Sequence, residues 1–244
     1  GGGAQGRGPE APDSEASESP TSRVQDLPNT YGPGYLRYGT VPGTVDPSNP
    51  VTSLDQLYIQ ASAVWPSLCA KTLEWASRSQ GLLRFQRPDC SGSIVDSWET
   101  WENVLLPEVE GTGVRWCKIK HPGRASEKVL RVYKGDTSLL LDICRQCLVF
   151  RSLADLLLCL DAIVRDPEVC IVRIKNRLSA RYDATASAGY RDLLINLRMV
   201  GEEMCSIGVE THVCEVQLQI LEFAEVKTIQ GHSRYVQFRN SRGE

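Results

Sequence analysis

Hydrophobic positions divide the chain into three stretches. Up to about residue 50 aliphatic side chains are sparse and Gly, Pro, Ser and Thr dominate. Such a segment alone cannot offset its ordering entropy, so residues 1–50 are expected to form an extended or disordered tail. Beyond it, Leu54, Leu57, Tyr58, Ala61, Val64 and Trp65 recur at helical spacing. A helix is predicted over 52–80, capped by Thr52 or Ser53 and kinked or split by Pro66, which has no amide proton to donate. A second helical piece is predicted around Trp98, Trp101, Val104 and Leu105. Residues 51–112 thus read as a helical N-terminal region, its tryptophans serving core packing.

From Gly113 the period changes. Strands are predicted at 114–120, 146–150, 168–178, 191–199 and 212–220, with a loop at 179–188. Helices are predicted at 123–133, after Ser152 in "SLADLLLCLDAIV", and over 221–238. Helices and strands mix without strict alternation. This predicts an α+β (mixed α/β) domain over 113–244, with a mixed sheet flanked by helices.

Alternation within the strands exposes a polar set. In "HVCEVQLQI", Cys214, Val216, Leu218 and Ile220 share one face, and Val213, Glu215, Gln217 and Gln219 the other. In "GYRDLLINLRM", Tyr190, Asp192, Leu194, Asn196 and Arg198 form one set. In "VCIVRIKN", Arg173 and Lys175 fall with Val169 and Ile171. Two readings fit: a solvated sheet face, or a concave site for an anionic ligand. In the second, Arg173, Lys175 and Arg198 supply charge-assisted bonds, and Glu215 holds a metal or accepts a proton.

Charge sharpens this picture. Net charge is -3, but residues 1–113 carry 7 basic and 14 acidic residues whereas 114–244 carry 20 and 16. A phosphate-bearing ligand is expected in the second part, while an excess this small argues against duplex nucleic acid. The nine cysteines are odd in number and lack framework spacing. They predict buried thiols in a reducing intracellular compartment, cytoplasm or plastid or another organelle. Cys144 and Cys147 form the C-x-x-C of "CRQC", read as core packing ahead of a redox or metal site. No run is long and apolar enough for a transmembrane segment, and no signal-peptide pattern is seen. Without an initiator Met the chain reads as a processed form or a fragment.

Four segments, taken in order, carry a resemblance. "GRASEKVLRVY", "DICRQCLVF", "VRIKNRL…SAGYRDLLINL" and "CEVQLQI" resemble motifs of the RelA/SpoT synthetases, makers of guanosine tetra- and pentaphosphate. Downstream, Lys227 and His232 sit where that family has a charged helix with His. The resemblance covers about residues 113–240 and implies a nucleotidyltransferase-type fold. It implies pyrophosphoryl transfer from ATP to GDP or GTP, with Mg2+ as cofactor.

Carried over by position, Asp142 and Glu215 would be the catalytic and metal-binding carboxylates. Arg124 and Lys128 would contact ATP and Lys175 the phosphates. Tyr190 would stack on guanine, with Arg173, Arg191, Arg198, Gln217 and His232 completing the substrate site. Gly189 suits a turn with positive φ. The chain departs from the family pattern at Leu194 (His in the family), Asp192 (Ser) and Cys147 (Arg). It also lacks the Pro-Lys before Gly189 and has a longer loop after Lys175.

Two functions follow: a nucleotide-binding enzyme, or a catalytically degenerate relative serving as an accessory subunit of a larger assembly. In the second, a protein partner would hold the N-terminal tail. Tyr31, Tyr35 and Tyr38 are expected to dock that tail on the globular domain or on the partner.

Overall fold

A computed structural model describes residues 51–226, apart from 52, 105–112 and 188, together with residues 1–2. Tyr31, Tyr35, Tyr38, Leu105, Lys227, His232 and the expected helix beyond Val226 lie outside the described residues.

The first element of the described residues is helix α1 (Leu54–Ser79), started by a capping box. Ser53 Oγ accepts from the Gln56 amide at 3.2 Å, and Gln56 Oε1 accepts from the Ser53 amide at 3.1 Å. The helix is continuous through Pro66 rather than split there. Leu57, Ala61, Val64, Leu68 and Trp75 bury one face along its whole length, and that packing outweighs the missing backbone bond.

The next segment corrects the expectation of a second helix around Trp98. Strands β1 (Leu82–Pro88) and β2 (Ile94–Thr100) form an antiparallel hairpin, which places Trp98 on β2 opposite Arg84. Only Trp101 and Val104 lie on a helix, the single turn α2 (Trp101–Val104). The hairpin turn is built by Asp89, whose Oδ1 accepts from the amides of Ser91 at 2.8 Å and Ser93 at 3.0 Å. Gly92 there takes φ +80°. The cue was the turn chemistry of "PDCSGS".

A second correction concerns 114–120. Only β3 (Gly113–Val114) enters the sheet, pairing with β1. Beyond it the Arg115 amide donates to the Arg84 carbonyl of β1 and the Lys120 amide to the Ile143 carbonyl, and side chains take further backbone groups. The Cys117 amide donates to Gln146 Oε1, the Cys117 carbonyl accepts from Trp65 Nε1, and the Lys120 carbonyl accepts from Tyr58 Oη.

The remaining elements are α3 (Pro122–Tyr133), β4 (Arg145–Phe150), α4 (Leu153–Val164), β5 (Val169–Asn176), β6 (Leu193–Met199), α5 (Glu202–Ser206), β7 (Val213–Ile220) and α6 (Leu221–Val226). Ser152 caps α4, accepting from the Asp155 amide. Strand order is β2-β1-β4-β7-β6-β5, with β4 and β7 parallel and the other neighbours antiparallel. This is the mixed sheet with helices that the pattern predicts. Leu148, Phe150, Leu193, Ile195, Leu197, Cys214, Val216 and Leu218 join α1 and α4 in one buried core.

Strand β5 carries a bulge that the alternation rule missed. Ile171 pairs with Leu197 and Arg173 with the adjacent Asn196, so Val172 is an extra residue. One inserted residue reverses the faces beyond it. Arg173 and Lys175 therefore lie opposite Asn196 and Leu194, on the face away from Ile171.

Candidate functional site

Register alone gathers a polar surface on the sheet face opposite the core. Glu215 lies between Arg145 of β4 and Asn196 of β6, and Gln217 between Cys147 and Leu194. The bulge brings Arg173 and Lys175 onto the same face. Cys144, by contrast, is buried in the core, so the two cysteines of "CRQC" do not converge. All nine cysteines are free thiols.

Asp142, just ahead of β4, is 8% exposed. Its Oδ2 accepts from Lys120 Nζ at 2.8 Å and Lys128 Nζ at 2.9 Å, while Oδ1 is buried without a hydrogen-bond partner. Burial works against ionisation, but the two ammonium groups prevail and hold the carboxyl at about 2. Glu215 is 7% exposed and behaves in the opposite way. Burial raises its pKa, and the Asp142 charge raises it further, against the Gln217 hydrogen bond of 2.6 Å. The two expected carboxylates thus feel each other across one site.

The cations around them are not equally committed. Lys128 is held by Asp142 and sits 5.6 Å from the centre of the Tyr133 ring. Arg173 donates twice to Asn196 Oδ1, at 3.0 and 2.7 Å. Lys175 makes no ion pair or hydrogen bond among the described residues. Burial together with Arg173, Arg177 and Lys128 pushes its pKa down to about 8. A cation held beside other cations is a place for an anion.

The segment around Tyr190 is fixed by its own contacts. Gly189 takes φ +83°, as the turn requires. Tyr190 is partly buried, and its hydroxyl accepts from Gln219 Nε2 at 2.8 Å. Burial and the neighbouring Asp192 keep the phenol protonated. Asp192 is fully buried and ion-paired to Arg177 at 2.6 Å, so its charge is matched rather than turned toward a ligand.

Several expected residues are placed elsewhere. The Arg191 guanidinium donates to the carbonyls of Arg177, Ser179 and Tyr182, stapling the loop from the inside. Arg198 is enclosed rather than presented: it is 2% exposed and donates to Cys170 Sγ. Alternation assigns a face but not a depth. Arg124 is exposed and paired to Glu127 on its own helix at 2.6 Å. Sequence reasoning missed Lys120 and Arg177. Their signals were the alternation of "KIK" before the helix and the cation run of "RIKNR".

No protein-family model matches the chain, and no curated protein matches it in sequence. Among solved structures it is similar to small alarmone synthetase 2 from Bacillus subtilis, at 13% identity and TM-score 0.48, over 76% of this chain and 81% of that one. It is similar to small alarmone synthetase 1 from Bacillus subtilis bound to its product pppGpp, at 15% identity and TM-score 0.39, over 48% and 59%. A third is the complex between the Type VI effector Tas1 and its immunity protein, at 15% identity and TM-score 0.41, over 69% and 62%. The chain spans about three fifths of the latter two structures, 62% and 59%. Among the described residues no helix is long and apolar enough to cross a membrane.

Proposed function

We propose that the polar face of β4, β7, β6 and β5 binds ATP and a guanine nucleotide, GDP or GTP, and transfers pyrophosphate from the first to the second. The observation that carries this reading is a pair of mutually influencing buried carboxylates, Asp142 and Glu215, framed by lysines of which Lys175 has no partner among the described residues.

The donor set suits Mg2+. Among the described residues no three acidic, His or Cys side chains converge as a metal cage. Mg2+ is commonly held by one or two carboxylates with substrate phosphates completing its shell. The orphaned Oδ1 of Asp142 and the raised pKa of Glu215 both mark a place where a cation would be stabilising. Asp142 and Glu215 would hold it, and when bound it would neutralise triphosphate charge.

The chain's own residues would then do the following. Lys128, Arg173 and Lys175 bind the phosphates, and Arg124 reaches ATP by exchanging Glu127 for a phosphate oxygen. The Tyr190 ring stacks on guanine. Gln217 orients Glu215, which takes the proton from the ribose 3′-hydroxyl. The 3′-oxygen bonds to the β-phosphorus, the bond from that phosphorus to the α,β-bridging oxygen breaks, and AMP leaves. Positioning and charge stabilisation supply the acceleration.

A second reading has its own support. With Leu194 where the resembled family has His, and Arg191 consumed by loop carbonyls, the site also suits a nucleotide-binding accessory subunit without turnover. A protein partner held by the tail belongs to that reading. One experiment separates them. The full chain is incubated with ATP, GDP or GTP, and Mg2+, and AMP and pyrophosphorylated guanine nucleotide are quantified. Calorimetry measures ATP binding in parallel. Product that disappears in Glu215→Gln supports the enzyme. Binding without product supports the accessory role, and absence of both overturns the site.

A further inference from the structure

Beside the carboxylates runs a line of side-chain amides, of which the proposed chemistry uses Gln217 alone. Gln217 Nε2 donates to Glu215 Oε1 at 2.6 Å. Gln219 Nε2 donates to Tyr190 Oη at 2.8 Å, and also lies 3.3 Å from Gln217 Oε1 and 3.4 Å from Cys147 Sγ. An amide NH2 has two protons, so one goes to the phenol and the other is shared between Gln217 and Cys147. Gln219 is 1% exposed, and an amide at that depth keeps its partners because an unmade bond is expensive. The far end is anchored too: Asp192, which acts on the phenol, is fully buried on Arg177.

We infer that Gln219 is a positioning residue that couples the Tyr190 ring, through Gln217, to the Glu215 carboxylate. Residues 215, 217 and 219 are successive positions on one face of β7, so their side chains form a ladder along the strand. The amide at 219 spans the gap: it donates in two directions at once, which neither a carboxylate nor an apolar side chain does. A base seated on Tyr190 would fix the phenol, hence Gln219, hence the donor that aims Glu215. The site for the base and the site for the proton are then one hydrogen-bonded unit. Its use by a guanine nucleotide rests on the function proposed above; the coupling itself does not.

The test is arranged accordingly. Gln side-chain amides of the full chain are followed by 1H–15N NMR without nucleotide, assigned with Gln217→Met and Gln219→Met. Tyr190→Phe removes a single oxygen and should leave the fold intact, as thermal melting checks. The expected result is that Tyr190→Phe shifts both the Gln219 and the Gln217 resonances and speeds amide proton exchange at both by about 10-fold, the loss of one hydrogen bond. A change at Gln219 with Gln217 untouched would overturn the coupling. In a second arm GDP is titrated into wild type and Gln219→Met. GDP should move the Gln217 resonance in wild type and not in the variant. If wild type binds no GDP, the nucleotide reading fails, while the first arm still decides the relay.

Discussion

Two carboxyl groups on one surface can hold their protons very differently. Asp142 is ionised by Lys120 and Lys128, whereas Glu215, facing Asp142 in a buried place, is pushed toward its neutral form. That divergence suits one group to charge and the other to proton transfer. Buried groups outside the site titrate as well. His212 is 3% exposed, with Nδ1 3.3 Å from Gln60 Oε1 and Nε2 unpartnered. Burial lowers its pKa from 6.5 to about 4. Because the folded state stays neutral while the unfolded chain takes up a proton, stability is full above about pH 6.5 and falls as pH drops toward 4. The loss is on the order of 3 kcal/mol. Denaturant melts of wild type and His212→Gln between pH 7 and pH 4 should show that slope in wild type and a flatter one in the variant. At this scale the family resemblance pointed to Asp142, Glu215, Lys128 and Lys175, and the fold brings them close enough to act on one another's charge. Arg198 and Arg191 were not, since their partners, Cys170 and three loop carbonyls, are set by tertiary contacts.

Among the elements, the bulge of β5 matters most to the proposed site. Deleting Val172 removes the extra residue and leaves Ile171 against Leu197 and Arg173 against Asn196, so Arg173 and Lys175 keep the polar face. The deletion should therefore leave ATP affinity near that of wild type. Val172→Ala should keep that affinity too and cost about 1–3 kcal/mol as a core truncation. An ATP affinity that falls about 10-fold or more in the deletion, measured by calorimetry, would show that this register does not set the face. Helix α1 offers a separate test. Pro66 is exposed and lies inside a helix that runs on through it, without an amide proton to give. Pro66→Ala should therefore stabilise the protein, by up to about 3 kcal/mol, and raise its Tm. A lowered Tm would mean that the helix needs its proline. Strong periodicity made α1, α4, β6 and β7 readable from the chain. The β1–β2 hairpin was not, because its strands are mostly half-buried or exposed and so carry little alternation. The stretch after Val114 looked like a strand, but beyond Arg115 several of its backbone groups are bonded to the side chains of Tyr58, Trp65 and Gln146.

For the molecule as a whole, the balance of charge at the polar face governs what it can hold. Lys120, Lys128, Arg145, Arg173, Lys175 and Arg177 outnumber Asp142, Asp192 and Glu215. An anionic ligand should therefore bind less tightly as salt rises. ATP affinity measured between about 0.05 and 0.5 M ionic strength should fall about 10-fold or more, with Lys175→Met showing a shallower slope. A salt-independent affinity would place ATP elsewhere. The mixed sheet and its helices were visible in the order of periodic segments. The bonding that turns its polar face into one surface was not, because it depends on which strands become neighbours.

The hairpin meets β4 through a single paired position, Leu82 against Val149, and otherwise pairs with the two-residue β3. The strands from β4 to β5 are instead zipped along most of their length. The hairpin is therefore expected to open by itself, ahead of the central strands. Amides of β1 and β2 should exchange with solvent deuterium through a local opening of low free energy, well before those of β6 and β7. Uniform protection across all these strands would show that the hairpin opens only with the whole molecule. If the early opening is found, the hairpin is the part of this fold that can be pried loose, cut or remodelled while the carboxylate-bearing strands stay closed.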